Sequence, residues 1–188
     1  MYLDGEEVSF KNTTEARAKG VGIIHQELSL FPNLNVYQNI FMNNEQKKGV
    51  VVNNEIHKQK TKEVLERLEY PIDPEAKVGD LRVGQQQMIE IAKAFSRDVK
   101  LIIMDEPTSS LTNKEVDQLY KIIRNLKREG ISTLFVSHKL EEIEEICDCL
   151  TVFRDGKTIT SAKVGEITPD EMVYAMVGRE ITNYYTTI

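Results

Sequence analysis

The sequence predicts an α/β fold in which helices flank a parallel sheet, with an inserted helical block and a C-terminal β-hairpin. In the second half, short apolar runs alternate with amphipathic helices, which indicates parallel strands joined by right-handed crossovers. Residues 26–95 are mostly helical in pattern, so a helical block is expected between two strands. An Asp-Gly pair at 155–156 separates two alternating segments, which is a strong hairpin signal.

In the first half, Asn12 is expected to start a helix and residues 21–24 to form a strand. Helices are predicted at 36–42 and 54–69 from their apolar spacing. Because His57 lies in a lysine-rich stretch of the second of these helices, its side chain is expected to be solvated.

In the second half, residues 100–105 have the composition of a buried parallel strand. Thr112 and Glu115 form a T-x-x-E capping box that predicts the start of a helix. Residues 131–136 predict a second buried strand, after which Ser137 is expected to cap another helix.

The C-terminal part carries a charged helix, the hairpin and a last short helix. Thr168 with Glu171 forms a second capping box and predicts a helix over 168–177. Four carboxylates are expected on the solvated face of the helix before the hairpin: Glu141, Glu142, Glu144 and Glu145.

Composition excludes several classes of protein. The 188 residues are enough for about one domain, and 40% hydrophobic with 29% charged residues is typical of a globular protein. A net charge of −6 argues against electrostatic binding of nucleic acid. The longest aliphatic run, at 101–104, is too short for a membrane span, and no signal segment is visible, so a cytoplasmic location is expected. The two cysteines, Cys147 and Cys149, favour reduced thiols over a disulfide framework or a zinc site.

The predicted strand at 100–105 ends in two consecutive carboxylates, Asp105 and Glu106, where open α/β sheets bind ligands. Since neighbouring strand residues point to opposite sides, the two acids are expected to have different roles. Asp105 suits a Mg²⁺ ion, and Glu106 suits orienting and deprotonating a water that attacks a γ-phosphate. A bare Asp-Glu pair is more simply two exposed acids, but the apolar run before it and the Pro-Thr after it favour a Walker B segment.

A glycine-containing segment at 81–87 leads into an amphipathic helix with Met88, Ile91, Ala92 and Phe95 on one face. Gly84 at the helix start lets backbone N–H groups approach an anion closely. Alone, the pattern is more typical of a loop before a core helix. Its position about twenty residues before the acid pair favours ligand binding.

Two single residues follow other strands of the predicted sheet. Gln26 follows the strand at 21–24 and could coordinate Mg²⁺ and water. His138 follows the strand at 132–136 and could contact a γ-phosphate or the attacking water. A lone Gln or His after a strand is more often only a satisfied polar residue. Their repeated placement at strand ends favours a shared site.

Together these segments resemble the ATPase of ABC transporters, in that family's motif order. Residues 21–28 resemble its Q-loop, 84–93 its signature, 104–112 its Walker B and D-loop, and 137–139 its switch histidine. The sequence is more similar still to the bacterial monosaccharide importers of the ribose, galactose and xylose type. Their first cassette, of two fused in one chain, matches from about residue 3 and ends much like residues 176–180.

The resemblance implies a P-loop NTPase-like ABC ATPase fold, with an α/β core at 1–26 and 96–188 and a helical subdomain at 27–95. It implies ATP and Mg²⁺ as cofactors, with Asp105 and Gln26 as metal ligands and Glu106, His138 and Gln26 as catalytic residues. It also implies that one group of residues contacts nucleotide: Arg82, Val83, Gly84, Gln85 and Ser110.

The resemblance further implies the energising subunit of a sugar importer, peripheral at the cytoplasmic face of the membrane. Its expected partners are a second cassette, a membrane permease reached through residues 28–42 and, indirectly, a periplasmic or lipoprotein sugar-binding protein; no nucleic acid is expected. One alternative is a soluble ABC ATPase of DNA repair, chromosome structure or translation, although sustained heptads and basic linkers are absent from the sequence. Another is a non-catalytic cassette fragment that only docks to a partner.

Two departures from the family pattern affect these expectations. The sequence contains no G-x-x-x-x-G-K-[ST] loop, and its one Gly-Lys-Thr, at 156–158, lies in the predicted hairpin turn. This implies a cassette truncated at its N-terminus, inactive alone, whose sheet has an exposed edge or gap. Arg82 stands where the family signature usually has Ser, which predicts an impaired or altered composite site.

Overall fold

The computed structural model describes residues 2–42, 47–48 and 51–178. Part of the resemblance at 176–180 therefore lies outside the described residues. The chain divides after Val136 into two compact units, which are described separately below. No helix in the described ranges is long and apolar enough to cross a membrane.

The described residues form nine strands, seven α-helices and one 3₁₀ turn. The strands are β1 (Tyr2–Leu3), β2 (Glu6–Glu7), β3 (Val21–Ile24), β4 (Lys47–Lys48), β5 (Val51–Val52), β6 (Leu101–Asp105), β7 (Ser132–Val136), β8 (Cys149–Arg154) and β9 (Lys157–Lys163). The helices are α1 (Thr13–Ala18), α2 (Val36–Ile40), α3 (Asn54–Arg67), α4 (Val83–Phe95), α5 (Asn113–Arg128), α6 (Leu140–Ile146) and α7 (Pro169–Val177), with a 3₁₀ turn at Val78–Asp80.

The first unit is built on a parallel sheet, as predicted. Its strand order is β3-β6-β7. Ile24 lies beside Met104, and Asp105 lies beside Val136. Ile24, Ile102 and Met104 are fully buried, so the centre of this sheet forms the core on which the site is built.

Strand β7 is less buried than its apolar sequence predicts. It pairs with β6 on one side, and none of the described strands pairs with its other edge. Leu134 is 50% exposed and Val136 is 43% exposed as a result. The prediction of a buried strand is therefore wrong here, and the prediction of an exposed sheet edge agrees with this arrangement.

The helical block leaves the sheet after β3 and returns at β6. Because these two strands are direct neighbours, residues 25–100 form an insertion between adjacent strands. Helix α4 packs against both α2 and β3. Its four predicted core residues, Met88, Ile91, Ala92 and Phe95, are all buried, so its apolar spacing identified the correct face.

His57 is buried in this block, contrary to the prediction of a solvated side chain. It is 2% exposed, and its ring stacks on Phe41 with centroids 4.8 Å apart. The buried face of α3 consists of His57, Thr61 and Leu65, spaced four residues apart. The lysines that suggested solvation lie on the other faces of the same helix.

Helix α5 begins at the predicted capping box. The backbone N–H and the hydroxyl of Thr112 each donate to Oε2 of Glu115 at 2.8 Å. The apolar face of this helix consists of the buried residues Leu119, Ile122, Ile123 and Leu126.

The second unit contains the predicted hairpin and last helix. Asp155 and Gly156, between β8 and β9, both have positive φ (51° and 73°), as a type I′ turn requires. Thr168 and Glu171 form the predicted capping box of α7. An Arg154 nitrogen donates to the Ala175 carbonyl at 2.8 Å, which ties the hairpin to α7.

The start of α6 differs from the prediction. Lys139, rather than Ser137, precedes its first turn. The Ser137 hydroxyl instead donates to a Glu142 carboxylate oxygen at 2.8 Å, and Lys139 Nζ lies 3.1 Å from the other oxygen. Glu142 is only 6% exposed, so the expectation of a solvated side chain is wrong for this one of the four glutamates.

Both cysteines are free thiols, as predicted. Cys149 is exposed and Cys147 is half-buried. Burial, followed by the neighbouring Cys149, raises the pKa of Cys147 to about 11, so this thiol is protonated at neutral pH.

Candidate functional site

The carboxyl ends of β3 and β6 meet at one edge of the sheet and bring three predicted site residues to it. Ile24 pairs with Met104, and Gln26 and Glu106 each follow two residues later. Asp105 is the last residue of β6 and is partly exposed. Gln26 is exposed at a bend just after β3. The edge therefore offers two carboxylates and an amide.

Glu106 has a strained backbone at this edge. Its φ is 44°, a left-handed conformation that costs a non-glycine residue about 1–3 kcal/mol. Its N–H donates to the Val136 carbonyl at 3.0 Å, and its own carbonyl accepts from the Ser109 N–H at 3.2 Å. Hydrogen bonds of its N–H and of its carbonyl therefore hold this backbone in place. They fix the backbone position from which the Glu106 side chain extends.

The turn after Glu106 contains one buried and one exposed hydroxyl-bearing residue. Thr108 is 3% exposed, and its carbonyl accepts from the Leu111 N–H at 3.2 Å. Ser110 is exposed, which its predicted role as a nucleotide contact requires.

The predicted nucleotide contacts at 82–85 lie at the beginning of α4. Arg82 precedes the first turn, and its N–H donates to the Gln85 side-chain oxygen at 3.2 Å. Val83 is 52% exposed, whereas Gly84 is buried. The first N–H groups of an α-helix have no partner within it and favour an anion. The anion that lies against this turn in the structure is the Glu115 carboxylate, beside Gly84.

The loop before α4 is fixed by a neighbouring glutamine. The Gln86 amide nitrogen donates to the Leu81 carbonyl at 2.9 Å and to the Val78 carbonyl at 3.2 Å. These bonds hold the turn that leads into residues 82–85.

Glu115 contacts the signature residues, which the sequence did not predict. A Cβ atom placed on Gly84 would lie 2.2 Å from the Glu115 carboxylate, so a larger residue there requires the Glu115 side chain to move. The Tyr70 hydroxyl donates to the same carboxylate at 3.5 Å. Burial, and then the charge of Glu115, raise the pKa of Tyr70. Its T-x-x-E motif identified Glu115 as a helix cap, but no local pattern indicates a contact 31 residues away in sequence.

His138 lies in the second unit, which begins at Ser137, and its side chain is exposed. Its predicted role beside Glu106 stays a prediction.

The donor atoms at the sheet edge are compatible with Mg²⁺, which prefers oxygen ligands and usually retains water and substrate phosphates. Asp105 offers a carboxylate and Gln26 an amide oxygen. The described residues contain no group of three His, Cys, Asp or Glu side chains that could hold a metal. A cation at this edge would therefore depend on phosphate and water for its remaining ligands.

A cavity of about 410 Å³ lies in the second unit between the hairpin and α7. Arg154, Glu166 and Tyr174 are among its lining residues. None of the predicted site residues lines it, so it is separate from the predicted chemistry.

Comparison with known proteins identifies the family of the chain. A protein-family model described as ABC transporter matches residues 1–109. The chain is 47% identical over 184 residues to a ribose import ATP-binding protein of Bacillus licheniformis, covering 97% of this chain and 37% of that protein. It is 45% identical over 185 residues to a galactose/methyl galactoside import ATP-binding protein of Sodalis glossinidius, covering 98% of this chain and 37% of that protein. The chain thus spans little more than a third of these relatives.

Two solved structures show the same fold. One is a nucleotide-free ATP-binding cassette from an ABC transporter, with a TM-score of 0.75 and 23% identity over 88% of this chain and 69% of that one. The other is an ABC transporter cassette in its ADP conformation, with a TM-score of 0.73 and 22% identity over 93% of this chain and 71% of that one. The parallel sheet, flanking helices and antiparallel hairpin are therefore those of an ABC ATPase cassette, as the sequence predicts.

Proposed function

Since this chain belongs to the ABC transporter family, we propose that it is part of the ATP-binding subunit that energises import of a sugar. The observation that carries the proposal is the shared sheet edge of Asp105, Glu106 and Gln26, with the Glu106 backbone held in a strained conformation. The sugar class is supported by the two relatives named for import of ribose and of galactose or methyl galactoside.

The proposed roles follow from the chemistry of the side chains. Asp105 and Gln26 hold Mg²⁺, which neutralises charge on the β- and γ-phosphate oxygens when bound. The Glu106 carboxylate orients a water and accepts its proton as the water attacks the γ-phosphate. His138 contacts the same water or the γ-phosphate. Fixing the Glu106 backbone beforehand reduces the reorganisation that this step needs.

The signature residues act on a nucleotide held by a second cassette. The first turn of α4 directs its N–H groups at that γ-phosphate, and Gln85 and the exposed Ser110 add polar contacts. Arg82 supplies a positive charge where a short hydroxyl contact is usual, so the composite site is altered. ATP closes the two cassettes, and hydrolysis reopens them.

The proposed partners are a second cassette, a membrane permease and, through the permease, a periplasmic or lipoprotein sugar-binding protein. The chain then lies at the cytoplasmic face of the membrane as a peripheral subunit. Residues 28–42 of the helical block carry the motion to the permease. The division into an α/β core at 1–26 and 96–188 and a helical subdomain at 27–95 is part of the same proposal.

One observation favours a second candidate for the polypeptide by itself. Its sequence has no G-x-x-x-x-G-K-[ST] loop to hold the β- and γ-phosphates. Taken alone, the 188-residue chain then acts as a non-catalytic cassette that docks to a partner.

The test uses the transporter that contains this chain, reconstituted in lipid vesicles. Glu106→Gln removes the base but keeps the side chain's size, so ATP hydrolysis and sugar uptake should fall ~10²–10⁴-fold while nucleotide still binds. Glu7→Gln, a change at an exposed glutamate of β2, is the matched control and should leave both rates unchanged. Unchanged hydrolysis in Glu106→Gln would contradict the assigned mechanism. Hydrolysis that neither ribose nor galactose stimulates would contradict the sugar class.

A further inference from the structure

The segment that follows Gln26 is attached to helix α4 through both backbone groups of one residue. The Ser29 N–H donates to Glu90 Oε1 at 2.9 Å, and Lys93 Nζ donates to the Ser29 carbonyl at 3.1 Å. Lys93 Nζ also lies 3.5 Å from the same Glu90 oxygen. The two side chains, three residues apart on α4, therefore bind the backbone N–H and the carbonyl of Ser29, which lies 61 residues before Glu90 in sequence.

The burial of Glu90 separates this arrangement from an ordinary surface ion pair. Glu90 is 8% exposed and lies between the fully buried Ile89 and Ile91. A buried carboxylate is costly unless it is paired and hydrogen-bonded, and Lys93 and Ser29 together meet that need. Because the carboxylate depends on both partners, displacing Ser29 would leave it incompletely satisfied.

The next residues of the segment are bound to the helical block in a similar way. The Asn39 side chain accepts from the Phe31 N–H at 2.7 Å and donates to the Phe31 carbonyl at 3.1 Å. The Pro32 carbonyl accepts from the Gly79 N–H at 2.9 Å. From Ser29 onwards the segment is thus part of the helical block, although it begins only three residues after Gln26 at the sheet edge.

We propose that Glu90 and Lys93 are positioning residues that join the segment after Gln26 to helix α4. Gln26 and the first turn of α4, called here the signature turn, then shift together. The ends of this connection are Gln26, placed at the metal and water, and Gly84, in the first turn of α4. A helix of 13 residues transmits displacement along its axis with little deformation. This inference rests on the proposed function, since it assigns a role to two residues that touch neither nucleotide nor water.

The polarity of the contact makes the inference testable. Residue 90 must accept a hydrogen bond and residue 93 must donate one. Exchanging the two, as Glu90→Lys with Lys93→Glu, keeps an ion pair but presents a donor to the Ser29 N–H and an acceptor to its carbonyl. A simple ion pair survives the exchange, whereas the contact with Ser29 does not.

The experiment compares this exchange with a matched control in the transporter that contains the chain. The control is the same exchange at Lys62 and Glu66, an exposed pair on α3 whose charged atoms are 3.9 Å apart. We expect the Glu90 and Lys93 exchange to speed amide hydrogen exchange at Ser29 and to lower sugar-stimulated hydrolysis about tenfold or more relative to the basal rate. The control exchange should change neither.

Single substitutions at Lys93 test the positioning role if the double variant does not fold. Lys93→Arg keeps a donor and should retain the stimulated rate within about twofold, whereas Lys93→Met keeps the length without a donor and should lower it. A wild-type transporter that does not hydrolyse ATP would overturn the proposed function. A working wild type in which Lys93→Met and the exchange both behave like the control would overturn only the positioning role.

Discussion

At the residue scale, Glu115 connects three parts of the first unit through one carboxylate. It caps α5 through Thr112, accepts from Tyr70, and lies against Gly84 at the start of α4. The absence of a side chain at Gly84 leaves the space that the Glu115 carboxylate occupies.

This contact gives a residue-level prediction. Gly84→Ala places a methyl group 2.2 Å from a Glu115 oxygen and forces this flexible side chain to move, so the free energy of unfolding should fall by at most the value of the cap it leaves, about 0.5–2 kcal/mol. Glu115→Ala should cost about 0.5–2 kcal/mol through the lost cap, but it removes the clash. In urea denaturation, the double variant should therefore be more stable than the sum of the two single effects. Additivity within about 0.5 kcal/mol would show that the two residues do not interact.

The same residues show what a sequence can reveal at this scale. Thr112 and Glu115 were recognisable as a cap because their partners are three residues apart. Gly84 was recognisable as a candidate binding residue from its place before an amphipathic helix. The contact between Gly84 and Glu115 was not predictable, because it depends on how α4 and α5 pack.

At the element scale, prediction succeeded where the local pattern and the packing agree. Helix α4 buries the face that its apolar spacing indicates, and the Asp155-Gly156 turn has the two positive φ angles that its sequence favours. Strand β7 is apolar but partly exposed because burial depends on the number of neighbouring strands. His57 is buried because it lies on the same face of α3 as Thr61 and Leu65. The nearby lysines lie on other faces, so the local charge did not indicate the burial of His57.

The last helix provides an element-level prediction on pH. The bonds from the Thr168 N–H and hydroxyl to Glu171, at 2.8 Å each, lower the pKa of Glu171 below its ordinary value of 4.5. A group with a lowered pKa stabilises the folded state fully above its unfolded pKa and loses that contribution as the pH falls. We expect α7 to fray progressively below about pH 4.5, with Glu171→Gln removing this part of the pH dependence.

The measurement is amide hydrogen exchange of the first turn of α7 between pH 3 and 6, corrected for intrinsic rates. Asp170→Asn is the control, because Asp170 lies in the same turn but does not belong to the capping box. Equal pH dependence in the wild type and in Glu171→Gln would contradict the assigned role.

At the scale of the whole molecule, the predicted site residues of the first unit are divided between the parallel sheet and the helical block inserted into it. Gln26, Asp105 and Glu106 share the sheet edge of the first unit, and the signature turn belongs to the helical block inserted there. Ser29, three residues after Gln26, bonds to Glu90 and Lys93 of α4. Gly84 at the start of α4 lies against Glu115 of α5. Fold class and motif order were predictable because each motif is local. These connections were not, since each joins residues far apart in sequence.

This division leads to a prediction for the 188-residue chain on its own. Phosphate binding in P-loop ATPases relies on the backbone cradle and lysine of the G-x-x-x-x-G-K-[ST] loop, and the sequence contains no such loop. Since the first turn of α4 is proposed to act on a nucleotide held by another cassette, it is not expected to replace that loop. The purified chain should therefore bind Mg-ATP weakly in a fluorescent-nucleotide titration and release no phosphate above background.

The Glu106→Gln variant is the control for contaminating ATPases, since any phosphate release that it shares with the wild-type chain does not come from this site. Saturable hydrolysis that Glu106→Gln abolishes would contradict the prediction. It would mean that the sheet edge can recruit and hydrolyse ATP without a separate phosphate loop, and that Asp105 and Gln26 hold Mg-ATP more tightly than their exposure suggests.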